Sequence, residues 1–568
     1  MDCTESPSAE TSVTAVKDPE AANAEIVQAM EAGEGDEATR LIREALARWP
    51  NYTRLQLTQG EVFHKFAGAA QASNYYSTLL DERPAHPWAL ARLKAVLNGE
   101  ALSAQDATQI ADALFAAKLD GPERDSVFDA LAKAVRPEER RAFLRTVAPH
   151  SKVFRLEWKL AVAETEAADA EAAIRILSSA YDEGRYNEAA ISLLSELLAV
   201  CGRESEAVEV LCKEIARAPD RPDPYRKLVS LLQRIGAFKK AGEVMQEALE
   251  RWPCDWLLLF RLNRLPVEPK RLTSIFHTIR TAADAEALRD ERFRYHYALA
   301  CLHAGELERA RDLFSAPFAP PVDDLAAPVA KAFLSRPIDF WKRRSRLMDD
   351  RTLDVQITRS KGARLTVVLP TGIAFGFLPP AMIDALFAEH AINVIYLRDF
   401  RKRAYTSGVA SLGRDEAETI GALKEIVASL GAPRIVTIGA SMGGFAAFRY
   451  GALLDAYAAL SFAGPTELHS VYDTAKSSVW NPSYFVKLQL QRESEMPVDL
   501  VPLLRRGGKT KFFQIFGEDA AEDAHQARRL KELDNVTLMP VRGVKDHLVI
   551  DHAIADGSFD AMLQLLQE

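Results

Sequence analysis

The chain has 568 residues, 48% of them apolar and 27% charged, with a formal net charge of −9 and a pI near 5.8. That length predicts roughly three to four domains, and the composition is ordinary for a globular protein with a sizeable core. The acidic balance argues against a nucleic-acid binder, which carries a basic face, and no stretch approaches ~18 consecutive apolar residues, so no transmembrane helix is expected.

From the N-terminus, Met1 to Glu20 are polar and acidic and lack the apolar h-region of a signal peptide, so residues 1–21 read as a disordered tail. The five cysteines, Cys3, Cys201, Cys212, Cys254 and Cys301, are odd in number and contain no CxxC. Their spacing suits neither a zinc site nor a disulfide framework. With no signal peptide apparent, they predict a reducing, cytoplasmic setting. No metal or cofactor is expected. No cysteine follows residue 301, which excludes a cysteine nucleophile from the C-terminal part.

The next three hundred or so residues repeat. Ala45-Leu-Ala-Arg-Trp-Pro50 is matched by Ala248-Leu-Glu-Arg-Trp-Pro253, and both Pro50 to Pro84 and Pro219 to Pro253 span 34 residues. Aligning units on these prolines puts small residues where two helices must touch. These are Ala38 and Ala45, Gly60 and Ala72, Ala161, Ala173 and Ala180, Ala241 and Ala248, and Ala298 and Ala310 before Pro317. Glu214 and Val229 depart from the rule, and residues from about 95 to 150 match poorly. The pattern resembles the tetratricopeptide repeat, whose small residues let a helix pair close and whose proline ends the second helix. The resemblance implies an all-α solenoid over 22–317, able to recruit a protein or polymer partner. Residues 318–345, with Pro320, Pro321, Pro328 and Pro337, read as a linker plus a short helix.

Beyond residue 346 the period changes. Apolar β-branched runs at Leu365–Leu369, Asn393–Leu397, Ile435–Ile438, Tyr457–Phe462, Lys511–Phe516 and Val536–Val541 alternate with helical stretches. That alternation predicts a mostly parallel sheet covered on both faces, with an added strand at Asp354–Thr358. The helices are expected at 380–390, 415–430, 442–454, 522–533 and 548–567. Thr466 to Arg506 interrupts the alternation and reads as an insertion over the strands' carboxyl ends, where open α/β sheets bind ligands.

Within this region Gly439-Ala-Ser-Met-Gly443 is a G-x-S-x-G between a strand and a helix, which holds a serine hydroxyl out on a sharp turn. Such a serine also lies beside a helix N-terminus, whose N–H groups can meet an oxyanion. Together with an acidic loop after a later strand and a histidine after the last, this resembles the α/β-hydrolase fold, in the chain order Ser, Asp, His. The resemblance implies Ser441 as nucleophile and His547, in Arg542-Gly-Val-Lys-Asp-His547, as base. The acid is expected in Gly517-Glu-Asp-Ala-Ala-Glu-Asp523. Asp519 is the first choice there, because it lies just past the strand, with Asp523 the alternative and Glu518 third. Ala520 stands where the commoner spacing puts the acid. Asp546 reads as a local turn residue, and His552 and His525 as helix residues.

The oxyanion donors implied are the Met442 N–H and one from Thr371 or Gly372, in the loop after the 365–369 strand. Arg398, Arg401 and Tyr405 belong to a basic cluster after the second parallel strand and are candidates for binding an anionic or sugar substrate. The expected activity is that of a serine esterase, thioesterase or acyltransferase working through an acyl-enzyme. The alternative is an interaction scaffold whose hydrolase-like domain is inactive.

Overall fold

The computed structural model describes residues 18–82, 93, 95–97, 101–116, 122–150, 154–320, 322–344, 347, 350–371, 378–401, 403–468, 499–506 and 508–568. The chain divides into two compact units, Met1–Leu194 and Ser195–Glu568.

The first unit is built from helices that pair as antiparallel neighbours, Pro19–Ala32 with Gly35–Arg48, Thr53–Ala67 with Ala69–Glu82, and Phe154–Glu166 with Ala170–Asp182. The small residues singled out by the repeat are where helices meet: Ala38, Ala45, Ala72, Ala161, Ala173 and Ala180 are all buried. At Gly60 a Cβ would come within 2.1 Å of the Tyr76 ring, so a larger residue would force the helices apart. Chain breaks follow the tryptophan–proline pairs. The helix Gly35–Arg48 stops at Trp49 before Pro50, and Phe238–Arg251 stops at Trp252 before Pro253, because proline disfavours helix in the residue ahead of it.

The second unit opens with further helix pairs, including Glu204–Arg217, Pro222–Arg234, Phe238–Arg251 and Glu291–Ala304 with Leu307–Ser315. Ala241, Ala248, Ala298 and Ala310 are buried there too. Glu214, out of pattern in the sequence, is buried, and its carboxyl is pushed up by that burial. The proline-rich stretch 318–345 forms two helices, Asp323–Leu334 and Ile338–Arg344. Trp341 is buried, its indole N–H donating to the Phe333 carbonyl at 3.1 Å, and Asp323–Leu334 packs on the helix Val549–Asp556. Apolar side chains on these helices, Phe333 and Trp341 among them, make this stretch part of the folded body rather than a bare connection.

The same unit then builds a seven-stranded sheet: β1 Val355–Thr358, β2 Leu365–Pro370, β3 Asn393–Leu397, β4 Arg434–Ala440, β5 Ala458–Phe462, β6 Lys511–Gly517 and β7 Val536–Val541. The order is β1-β3-β2-β4-β5-β6-β7, with β1 antiparallel to β3 and every other pairing parallel. Strands β2, β3 and β5 are buried along their whole length, as parallel strands covered on both faces must be. On one face Ile420, Leu423 and Tyr450 pack against Val368 and Ile395, and elsewhere Phe445 and Phe448 pack with Phe512 and Leu530. The expected C-terminal helix is two, Val549–Asp556 and Ser558–Gln567, parted by Gly557 at φ 82°.

Because β2 and β4 are neighbours while β3 lies on the far side of β2, the connections leaving their carboxyl ends run apart. That is the topological switch point at which open α/β sheets form a ligand crevice. Ser441 follows β4 at this crevice.

Candidate active site

Ser441 joins β4 to the helix Met442–Leu453 with φ 54° and ψ −128°. A non-glycine residue is costly in that region, on the order of 1–3 kcal/mol, and persists only where its surroundings impose it. Here its N–H donates to the Phe462 carbonyl at the end of β5, at 2.8 Å, and its carbonyl accepts from the Gly444 N–H at 2.8 Å. The two motif glycines are required by approach. A Cβ on Gly439 would lie 2.0 Å from the Gly443 carbonyl oxygen, and one on Gly443 would lie 2.3 Å from that of Pro370. The elbow is thus pressed onto the end of β2 as well as its own strand.

Ser441 is half-buried and lines a cavity of about 320 Å³ together with Met442, Pro465, Asp523 and His547. That volume lies at the small end of the range for ligand sites. His547 reaches it from the loop after β7, where Gly543 takes φ 75° to turn the chain. The imidazole Nδ1 lies 2.9 and 3.0 Å from the two carboxylate oxygens of Asp523. A carboxylate only accepts, so Nδ1 carries the proton and the neutral ring presents Nε2 as an acceptor. Among the described residues Nε2 has no protein partner.

Asp523, rather than Asp519, is the carboxylate that meets the histidine. Asp519 and Glu518 are exposed on the turn after β6, their N–H groups tied to the Val544 and Val541 carbonyls. That turn is therefore clamped backbone-first to the histidine loop, with its side chains outward. The chain next enters the helix Ala521–Arg528, whose inward face carries Asp523, Ala524, Gln526 and Ala527. The acid arrives one helical turn later than the strand end suggests.

Asp546 keeps the histidine loop in shape. Asp546 takes the turn role expected of it, accepting from the Leu548 N–H at 2.8 Å, and its other oxygen lies 3.0 Å from His552 Nε2. Burial pushes the Asp546 carboxyl up, but the hydrogen bonds from His552 and Leu548 outweigh it and hold it below the usual range. Asp551 is fully buried, and among the described residues neither carboxylate oxygen has a hydrogen bond of ordinary geometry. Burial, and then the Asp546 charge, hold its carboxyl well above the usual range. Between the ordinary carboxylate pKa of about 3.9 and that raised value, the folded state binds the extra proton, so folding stability falls as pH rises through the window. Asp551→Asn removes this penalty. The variant's melting temperature is expected to exceed that of the wild type by more at pH 8 than at pH 5, and an unchanged gap between the two would refute it.

The oxyanion donors divide. The Met442 N–H opens its helix, where no intrahelical acceptor exists for it. The Thr371 N–H, proposed above as a partner donor, is engaged: it donates to the Leu397 carbonyl at 3.0 Å, and the Thr371 hydroxyl joins it at 2.9 Å. In-register β2–β3 pairing simply continues one residue past the strand. Gly372 lies outside the described residues, as does the interior of the 466–506 insertion.

Arg398, Arg401 and Tyr405 do not line the Ser441 cavity. Arg398 is buried, and its guanidinium donates to the Leu353 carbonyl and to Gln356 Oε1, both at 2.8 Å, and to the Asp350 carbonyl at 3.3 Å. Arg401 donates to the carbonyls of Ser407, Gly413 and Arg414 within its own loop. Tyr405 is fully buried at φ 63°. Its hydroxyl sits between the carbonyls of Thr371 at 3.0 Å and Leu397 at 2.8 Å, and its own carbonyl accepts from Tyr450 on the elbow helix at 3.0 Å. Tyr405 thus ties the start of the loop after β2 to the elbow helix rather than touching a ligand. Tyr405→Phe, which leaves the Thr371 carbonyl without this donor, is expected to lower kcat by about tenfold with KM little changed. A proportional rise in KM alone would refute a positioning role.

Sequence reasoning missed Gln526. Its side-chain oxygen accepts from the Thr466 N–H and hydroxyl, both at 2.9 Å, and from the Glu467 N–H at 3.1 Å. It fastens the root of the insertion to the helix that carries Asp523. Its place one turn after Asp523, on the inward face, was the available signal.

No family model matches the chain, and no curated protein matches it. Solved structures do. The capsule O-acetyltransferase of Neisseria meningitidis serogroup A is 15% identical, with 37% of this chain and 92% of that chain covered and a TM-score of 0.28. A 2,6-dihydroxy-pseudo-oxynicotine hydrolase is 15% identical over 55% of this chain and 87% of that one, with a TM-score of 0.31. An α/β hydrolase from the metagenome of lagoon sediments at Mar Chica, Morocco, is 18% identical over 37% and 92%, with a TM-score of 0.27. At these values the likenesses say nothing of the activity of this chain, which must be read from its own side chains.

Proposed function

We propose that the chain is a serine-dependent acyl hydrolase or acyltransferase. The observation that carries the reading is the pairing of His547 with Asp523 in the cavity that also holds Ser441. In this reading Ser441 Oγ attacks an acyl carbonyl while His547 Nε2 takes its proton, and Asp523 holds the ring in the Nδ1–H tautomer. The carbonyl π electrons move onto oxygen, where the Met442 N–H and one from the loop after β2, at Gly372, stabilise the charge, each worth roughly 3 kcal/mol. Collapse expels the leaving group with the proton from His547 and leaves an acyl-serine. Water or an acceptor hydroxyl, deprotonated by the same histidine, then releases the acyl group.

The helix pairs over 22–317 are read as degenerate tetratricopeptide-type repeats that recruit a protein or polymer carrying the acyl group or the acceptor. The reducing, cytoplasmic setting read from the odd number and spacing of the cysteines is kept as part of this proposal.

The test is labelling of the full chain by a fluorophosphonate, which reacts with an activated serine. Labelling that is the same in the wild type and in Ser441→Ala removes the enzyme reading and favours an interaction scaffold.

A further inference from the structure

The basic cluster after β3 splits on folding. Arg398 turns into the core, whereas Arg401 and Arg403 line a separate cleft of about 760 Å³, more than twice the volume of the Ser441 cavity. The opposite wall comes from helices and their connection: Val200, Ile235 in the turn after Pro222–Arg234, and Phe238 at the start of Phe238–Arg251. We propose that this cleft binds a short peptide segment of a partner protein in which acidic residues are interspersed with aliphatic ones. A carboxylate would meet Arg401, and the aliphatic side chains would lie on Val200 and Ile235.

Charge is the first argument. The chain is net acidic by nine charges, yet four arginines line this cleft, Arg234, Arg401, Arg403 and Arg414, against Glu204 and Asp415. Arg234 pairs with Glu196, and Arg414 with Glu418. Asp415 is engaged in capping its helix through the Glu418 N–H. Arg401 differs. Its bonds among the described residues run only to the carbonyls of Ser407, Gly413 and Arg414, so its positive charge is not cancelled by a carboxylate. A guanidinium has five N–H donors, and these contacts leave it at least two. Because three carbonyls already hold the group in place, a ligand carboxylate finds it pre-organised and little side-chain entropy is lost on binding.

Shape supplies the second argument. Ile235 is 38% exposed, an uncommon state for a large apolar side chain here. Phe238 and Phe400 spend part of their ring surface on one another, with centroids 4.8 Å apart and planes at 57°, which leaves less of the open ring face on which a nucleobase stacks. The exposed aliphatic surface of Ile235 lines the same cleft as the Arg401 guanidinium.

This inference concerns recruitment and does not depend on the chemistry of Ser441, so it is tested on full-length Ser441→Ala. A fluorescein-labelled synthetic peptide of Glu, Leu and Gly is titrated by fluorescence anisotropy, beside the same peptide with Lys for Glu and labelled heparin. The Glu peptide is expected to bind, more weakly as salt is raised, and the Lys peptide to fail. Ile235→Asp, at an exposed position that should not disturb folding, and Arg403→Glu should each weaken binding by about tenfold with the melting temperature unchanged. No binding of the Glu peptide, equal binding of the Lys peptide, or indifference to both variants overturns the proposal. Heparin binding that alone is lost in the variants overturns it in favour of a glycan site. Fluorophosphonate labelling of the wild type is a separate readout, so the two readings can fail independently.

Discussion

Ser441→Ala is expected to abolish fluorophosphonate labelling and to lower kcat on a short-chain acyl ester by roughly 10⁴-fold or more. His547→Ala should lose nearly as much, and the double variant no more than either alone, because a nucleophile without its base and a base without its nucleophile fail at the same step. The serine variant should fold at least as well as the wild type. Ser441 is held at φ 54° and ψ −128° by the bond from its N–H to Phe462 and by the close approach of Gly443 to Pro370, and this strain belongs to the site rather than to the hydroxyl. Intact-mass spectrometry of labelled protein with thermal melting separates the two effects. Wild-type protein that takes up no label, or Ser441→Ala that takes it up equally, would sink the proposed chemistry.

The second large effect concerns the acid. Asp523→Asn is expected to lower kcat by about 10³–10⁴-fold, and Asp519→Asn to change it by no more than about twofold. The reason lies in the tautomer. The Asp523 carboxylate, at 2.9 and 3.0 Å from Nδ1, can only accept, whereas an asparagine amide can turn its NH₂ toward the ring. The proton then moves to Nε2, the atom that must receive the serine proton. Asp519 is exposed on a turn fastened through its backbone, and its side chain has no such lever. Equal losses in the two variants, or a larger loss in Asp519→Asn, would return the assignment to the turn.

Local pattern along the chain was enough to find the seven strands, the elbow serine and the histidine loop, and also the small residues on which the helix pairs close. Each of these is written locally. A parallel strand covered on both faces is apolar over most of its length, a nucleophile elbow must have glycine where a Cβ would strike Pro370, and paired helices carry small residues where they touch. Long-range packing sets which acid meets the histidine, whether Thr371 has an N–H to give, and which way Arg398, Arg401 and Tyr405 turn. These are loop residues and first-turn helix residues, with no period to fix their direction. Asp523 replaces Asp519 because the turn after β6 is bonded to the loop after β7, more than twenty residues on. Tyr405 turns inward because two carbonyls from different strands converge on its hydroxyl. Such facts depend on where distant segments come to lie, and spacing along the chain does not carry them.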